Sequence, residues 1–294
     1  MTMVQRTFIP GSEWLYFKIY TGYKTADEML IRVIGSFVKD LFTRRCIDGF
    51  FFIRYSDPDF HIRFRLHIPS PDNYGLIMHE FHQRFCCEIE TGNVVKIMCD
   101  TYVREIERYG AQTMELLEEL FRIDSMTILD LLSRLANISG SERESAHWKI
   151  SLLLLDDSLT AFGYDLPEKA RITAQMAESF KKEFGFTTHA YTKQLNDKYR
   201  TQRDEIEQAV HSRKDFFEFE YTLEERRKGL RQIAQNIASV SKSGGAVVID
   251  NLLSSIQHMT MNRWFRSRNR QHELIIYDFL SKYYISALAQ NRMK

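Results

Sequence analysis

"GFFFIRYSDPDFHIRFRLHI" occupies residues 49–68, and its reading decides the N-terminal half of the chain. Two runs rich in aromatic and β-branched residues, 49–56 and 61–68, flank Asp57-Pro58-Asp59-Phe60. Proline presets a turn angle and aspartate side chains bond nearby backbone N–H groups, so the segment is predicted to be a β-hairpin. In the second run Ile62, Phe64, Leu66 and Ile68 alternate with His61, Arg63, Arg65 and His67. A period of two puts the apolar set on one face and the basic set on the other, with Arg63 and Arg65 about 7 Å apart. Guanidiniums that close repel unless an anion lies between them, and Arg grips a carboxylate through two parallel hydrogen bonds. A water-washed sheet face, or arginines paired with glutamates, is the alternative at this point.

Outward from the hairpin, "WLYFKIY" (14–20) alternates as a half-buried strand should. Residues 25–45 follow as a helix opened by a capping box, Thr25-x-x-Glu28, with Met29, Val33, Phe37 and Leu41 at helical spacing. A helix is expected over 71–90 and a strand over 94–103. Beyond Gly110 the pattern is helical, near 112–138, 143–163, 168–184, 190–215, 221–240, 247–265 and 270–290, with a flexible break at "SKSGGA" (241–246). The expected class is α+β: an N-terminal mixed sheet with flanking helices packed against a mostly helical C-terminal part. One domain is expected over 1–294, with a sheet-bearing part (1–110) and a helical part (111–294).

Of 294 residues 44% are hydrophobic, ample for a sizeable core. Lys+Arg (40) and Asp+Glu (39) nearly cancel, so any cationic site must be local, and no basic stripe announces nucleic acid. No uncharged apolar run approaches the roughly 20 residues that span a bilayer. Cys46, Cys86, Cys87 and Cys99 form no CxxC pair, and the histidines offer no ligand spacing beyond a weak His79-x-x-His82. No metal, no cofactor and a cytoplasmic location are therefore expected. GxGxxG, GxxxxGK[ST], GxSxG and HExxH are all missing, which argues against nucleotide cofactors, serine hydrolases and zinc peptidases.

Two further segments carry chemistry. "TYVREIERYG" (101–110) holds Glu105 and Arg108, which are neighbours only if that stretch is helical. Gly110 reads as a position needing unusual backbone freedom. In "LLSSIQHMTMNRWF" (252–265), His258 and Asn262 share a helical stripe, and His258 is the natural proton carrier of the set.

Together "WLYFKIY", "FFIRYSDPDFHIRFRLH", "TYVREIERYG" and "HMTMNRWF" resemble one family, the C-terminal lyase domain of lantibiotic dehydratases, also called the thiopeptide-type bacteriocin biosynthesis domain. Its pattern runs W-L-[YF]-x-K-[LI]-Y, [FY]-[FY]-I-R-Y-x-D-x-x-x-H-[IL]-R-x-R, Y-x-x-E-x-x-R-Y-G and H-M-x-x-N-R, and all four occur in order. The resemblance implies an enzyme without a cofactor that eliminates glutamate from glutamylated Ser or Thr of a ribosomal precursor peptide, giving dehydroalanine or dehydrobutyrine. It implies a stand-alone elimination subunit, with a separate tRNA-dependent glutamylating partner. Arg63, Arg65, Glu105, Arg108 and His258 match the family's catalytic positions. Arg63, Arg65, Arg108, Arg54 and Asn262 are the substrate-binding candidates. One departure stands: where the family commonly has Arg-Tyr-Gly-Gly, this chain has Arg108-Tyr109-Gly110-Ala111. The resemblance also admits a pyridine synthase, joining two dehydroamino acids by [4+2] cyclisation, and a non-catalytic subunit adding precursor peptide to a sheet edge. A homo-oligomer stays open.

Overall fold

Alternation builds the sheet and 3.6-residue spacing builds everything around it. β1 (Thr7–Phe8) precedes β2 (Trp14–Thr21). Next come α1 (Thr25–Glu28), a π-helical stretch (Met29–Ile34) and α2 (Gly35–Thr43). The hairpin β3 (Gly49–Ser56) and β4 (Phe60–His67) leads through α3 (Asn73–Glu90) to β5 (Val94–Asp100). β6 (Tyr102–Val103), α4 (Ile106–Tyr109) and α5 (Met114–Leu135) follow. The structure is a computed structural model that describes residues 4–186, 188–213, 216–242 and 249–292.

The main sheet runs β3-β4-β2-β5. Its class is α+β as expected, and every pairing in it is antiparallel where a mixed sheet was predicted. Strand–helix–strand, repeated, gives the split βαβ arrangement. Directly opposed residues share a face. Ile62, Phe64 and Leu66 face Ile19, Phe17 and Leu15 of β2, and Phe64 and Leu66 face Phe52 and Phe50 of β3. All are at most 2% exposed, worth about 1.5–3 kcal/mol each. Met29, Val33, Phe37 and Leu41 are buried. The Phe81 ring of α3 stacks 3.8 Å from Phe17 and lies 6.1 Å from Phe37 of α2, so both helices cover this face.

Two local expectations fail. Thr25 is not a helix cap: Lys24 is already helical (φ −74°, ψ −44°) and the Ala26 N–H donates to the Gly22 carbonyl, so the turn begins earlier and no side chain caps it. The strand expected over 94–103 is broken, because the Thr101 N–H donates to the Asp100 carboxylate (2.7 Å) and the chain turns there. β6 then leaves the main sheet to pair with β1.

The remaining helices are α6 (Gly140–Ala161), α7 (Leu166–Glu183), α8 (His189–Glu207) with a π turn (Gln208–Ser212), α9 (Phe217–Lys242), α10 (Ile249–Trp264) and α11 (Asn269–Arg292). All seven expected helices are present. α7 opens on a capping box, Asp165 with Glu168. Ser241 and Lys242 of the expected break finish α9, and 243–246 lie outside the described residues. Contacts divide the chain into two compact units, Met1–Arg134 with Gln235–Val247 and Leu135–Ala234 with Val248–Lys294. The second has its own core in α6, where Leu152–Leu155 and Leu159 are fully buried. Asp156 and Asp157 beside them pair with Lys169 and Arg213, as buried charges must.

Candidate active site

The face of β4 away from the core carries the basic residues. Register sets Arg65 between Tyr16 and Phe51, Arg63 between Lys18 and Ile53, and His61 between Tyr20 and Tyr55. The Arg65 guanidinium lies 4.3, 5.0 and 4.9 Å from the ring centroids of Tyr16, Phe51 and Tyr102. It is 7% exposed, its Nε has no hydrogen-bond partner, and no described carboxylate forms an ion pair with it. Burial pushes its pKa down and the Arg63 charge adds to this, while the Tyr16 and Tyr102 phenols and Glu105 pull it back. Arginine remains protonated even so.

The rings around Arg65 are themselves fixed. The Tyr102 hydroxyl donates to Glu118 (2.8 Å), which also takes two hydrogen bonds from Arg104 (2.7 and 2.6 Å). Arg63 stacks 3.4 Å from the Tyr55 centroid and donates from Nε to His61 Nε2 (3.3 Å). Arginine has only donors, so His61 Nε2 accepts and Nδ1–H donates to the Asp59 carbonyl (2.9 Å). His61 is thus a neutral imidazole, and its burial pushes its pKa down.

Glu105 and Arg108 take the helical option. Glu105 precedes α4, and Arg108 donates to it across 3.4 Å. The Glu105 charge acts on Arg65, and Arg63, Arg65, Glu105 and Arg108 all belong to the first unit. Gly110 has φ +78°, in the region that favours glycine, as its sequence position implied. Ala111 is not among the residues with positive φ, so a side chain there carries no left-handed backbone strain. Arg54 does not join the cluster. It lies opposite Ile62, on the core face, and its guanidinium meets the buried Asp27 carboxylate at 2.7 Å.

In the other unit, His258 projects from α10 with its side chain 26% exposed. Nδ1 lies 2.9 and 3.1 Å from the two carboxylate oxygens of Glu273 on α11, and that carboxylate is fully buried. Asn262, one turn on, is half-buried, and its backbone carbonyl accepts from the Asn269 side chain (3.3 Å). Glu273 is the residue the sequence reading missed. Its signal was a carboxylate on an otherwise apolar stripe, followed at helical spacing by Tyr277, Leu280 and Tyr284, all at most 1% exposed.

The sequence model of the family described as "Lantibiotic biosynthesis dehydratase C-term" matches residues 14–284. The chain belongs to that family. Among curated relatives of this lantibiotic dehydratase C-terminal domain, the nisin biosynthesis protein NisB of Lactococcus lactis subsp. lactis is 29% identical over 152 residues, 51% of this chain. The subtilin biosynthesis protein SpaB of Bacillus subtilis is 32% identical over 124 residues, 42% of this chain. These matches span 14% and 12% of the two relatives, small parts of much longer proteins. The tRNA-dependent lantibiotic dehydratase MibB from Microbispora sp. 107891 shares the fold, with TM-score 0.70 at 20% identity over 97% of this chain and 29% of MibB. The pyridine synthase TbtD, from thiomuracin biosynthesis, gives 0.63 at 12% identity over 95% of this chain and 99% of its own.

For the family's domain as found here, no described helix is long and apolar enough to cross a membrane. No group of three or more His, Cys, Asp or Glu among the described residues could hold a metal ion. The four cysteines are unpaired.

Proposed function

We propose that the chain performs the elimination half of a dehydration, releasing glutamate from a glutamylated serine or threonine of a ribosomal precursor peptide. Dehydroalanine or dehydrobutyrine remains in the peptide. The observation that carries this reading is Arg65, a buried cation ringed by aromatics that forms no ion pair with a carboxylate among the described residues. Burying an ion costs several kcal/mol, and cation–π contacts return about 0.5–2 kcal/mol each. An incoming carboxylate makes up the remainder, so the cradle is built for an anion.

A glutamyl ester supplies one. It carries a free carboxylate, and a second forms as the ester departs. In the reaction a base takes the α-proton of the esterified residue, that C–H pair becomes the Cα=Cβ bond, and the Cβ–O bond breaks to release glutamate. Negative charge develops on the neighbouring amide carbonyl and on the departing oxygen. Arg63, Arg65 and Arg108 hold the glutamate and oppose that charge. Stacking on Tyr55 and among Tyr16, Phe51 and Tyr102 fixes two of them beforehand, so they need no reorganisation as charge appears. Glu105 aligns Arg108. His258 moves the proton, and Asn262 supplies a further polar contact to the peptide. Arg54 has no part in this reading. Glutamylation from glutamyl-tRNA belongs to other residues than these, and the family's domain meets only the glutamylated peptide.

The test is incubation of purified protein with a synthetic peptide bearing glutamyl-serine, read by mass spectrometry. Free glutamate and dehydroalanine are expected. Arg65→Ala and His258→Ala should each slow release by about 10²-fold or more and leave glutamylated peptide to accumulate. Release at the parent rate from His258→Ala removes the histidine from the mechanism. Ring closure on a dehydrated peptide, with glutamyl-serine untouched, replaces the proposal with a pyridine synthase. Peptide binding without either reaction replaces it with a non-catalytic subunit.

A further inference from the structure

The geometry points to Glu273 as the positioning residue that fixes the tautomer of His258, placing the neutral ring's proton on Nδ1 and leaving Nε2 as the nitrogen that exchanges a proton with substrate. The kinetic part of this inference rests on the elimination reading above; the tautomer does not.

Both Glu273 carboxylate oxygens converge on one ring nitrogen, at 2.9 and 3.1 Å. No hydrogen bond occupies Nε2 among the described residues, and the ring is 26% exposed. The imidazole therefore presents one nitrogen to a buried acceptor and the other away from it. Which nitrogen of a neutral histidine carries hydrogen is set by the bond the other makes, and an ionised carboxylate can only accept. Burial pushes the Glu273 carboxyl up, and the hydrogen bond from His258 is the largest influence bringing it back down. Arg270 also favours the ionised form, while Glu183 opposes it, and these two pair with each other.

The arrangement has three consequences for proton transfer. The ring cannot rotate without breaking its bond to Glu273. A proton taken up at Nε2 makes an imidazolium beside a buried carboxylate, which stabilises it. When that proton is returned to the departing carboxylate or to solvent, the Nδ1–H form is restored for the next turnover. Glu273 touches no reacting atom in this scheme. It acts through His258.

Two measurements on the full chain test this. Histidine-selective 15N labelling, with the signals assigned by loss in His258→Asn, reads the tautomer of the free protein at a pH where the ring is neutral. The inference expects an Nδ1–H, bare-Nε2 pattern; an Nε2–H pattern in the unmutated protein overturns it, whatever the activity. Glu273→Gln, with unchanged circular dichroism, should then lower kcat for glutamate release by at least tenfold and leave KM within about twofold, with Glu273→Asp recovering part of the loss. An unchanged kcat in Glu273→Gln overturns the role in catalysis. If the Nδ1–H pattern is found but the unmutated protein releases no glutamate, the elimination reading falls and the positioning of His258 by Glu273 stands.

Discussion

Arg65 spends its side chain on three aromatic rings and keeps one N–H unpaired, which makes its burial expensive. A methionine of similar length fills the same aromatic slot without a buried charge. Arg65→Met should therefore unfold at the same temperature as the parent or a few degrees above it, while glutamate release is lost. Differential scanning calorimetry beside the peptide assay checks both halves. A large fall in Tm shows that the guanidinium serves the fold instead. The sequence made this residue visible because it sits in a strict alternation. It hid the cause of its burial, since Tyr102 comes from a short strand outside the main sheet and is held there by Glu118. Arg54 misled for the same reason in reverse: its one-residue shift from the alternation sends it to the other face, where Asp27 awaits it.

At the scale of elements, the turn after α4 is the most exacting joint in the first unit. Gly110 combines φ +78° with a position where an added Cβ would stand 2.9 Å from the Thr113 hydroxyl oxygen. Gly110→Ala should cost about 1–3 kcal/mol in urea unfolding. Pairing it with Thr113→Ala should recover only the steric part, because the backbone strain persists. Full recovery in the double variant locates the whole cost in the clash. Element identities were legible from periodicity, and the helices after Gly110 were found within several residues. Their ends were less so, because caps and turns answer to single hydrogen bonds: Asp100 to Thr101 stopped β5, and an early turn at Gly22 made Thr25 an ordinary helical residue.

Across the whole molecule, charge is distributed as pairs rather than as a field. Asp250 of α10 accepts from Arg171 (2.9 Å) and from the Tyr164 hydroxyl, and the arginine is the larger reason its pKa lies below the usual aspartate range. A lowered carboxyl adds stability above its unfolded pKa and loses it as pH falls through the folded value. Asp250→Asn should thus be less stable than the parent at pH 6, and the gap should narrow below about pH 4, where the parent's own aspartate begins to protonate. Thermal melts at both pH values check this; a gap that does not narrow assigns the loss to the amide's geometry. Glu273 and Asp157, both raised by burial, act in the opposite sense, favouring the fold at low pH and opposing it as they ionise. None of these partners was legible in the chain's order, since Arg171 and Asp250 are 79 positions apart (250 − 171) and only folding introduces them.

The hairpin has an evolutionary corollary. Its second strand writes the hydrophobic interior and the cationic cradle in alternate letters of one short text, so a single-residue insertion or deletion inside 60–67 would exchange them, sending guanidiniums inward and Ile62, Phe64 and Leu66 out. Lineages can edit the turn at 57–59 or replace one letter at a time, but they cannot shift the reading frame of either strand. Innovation at this face must proceed by substitution.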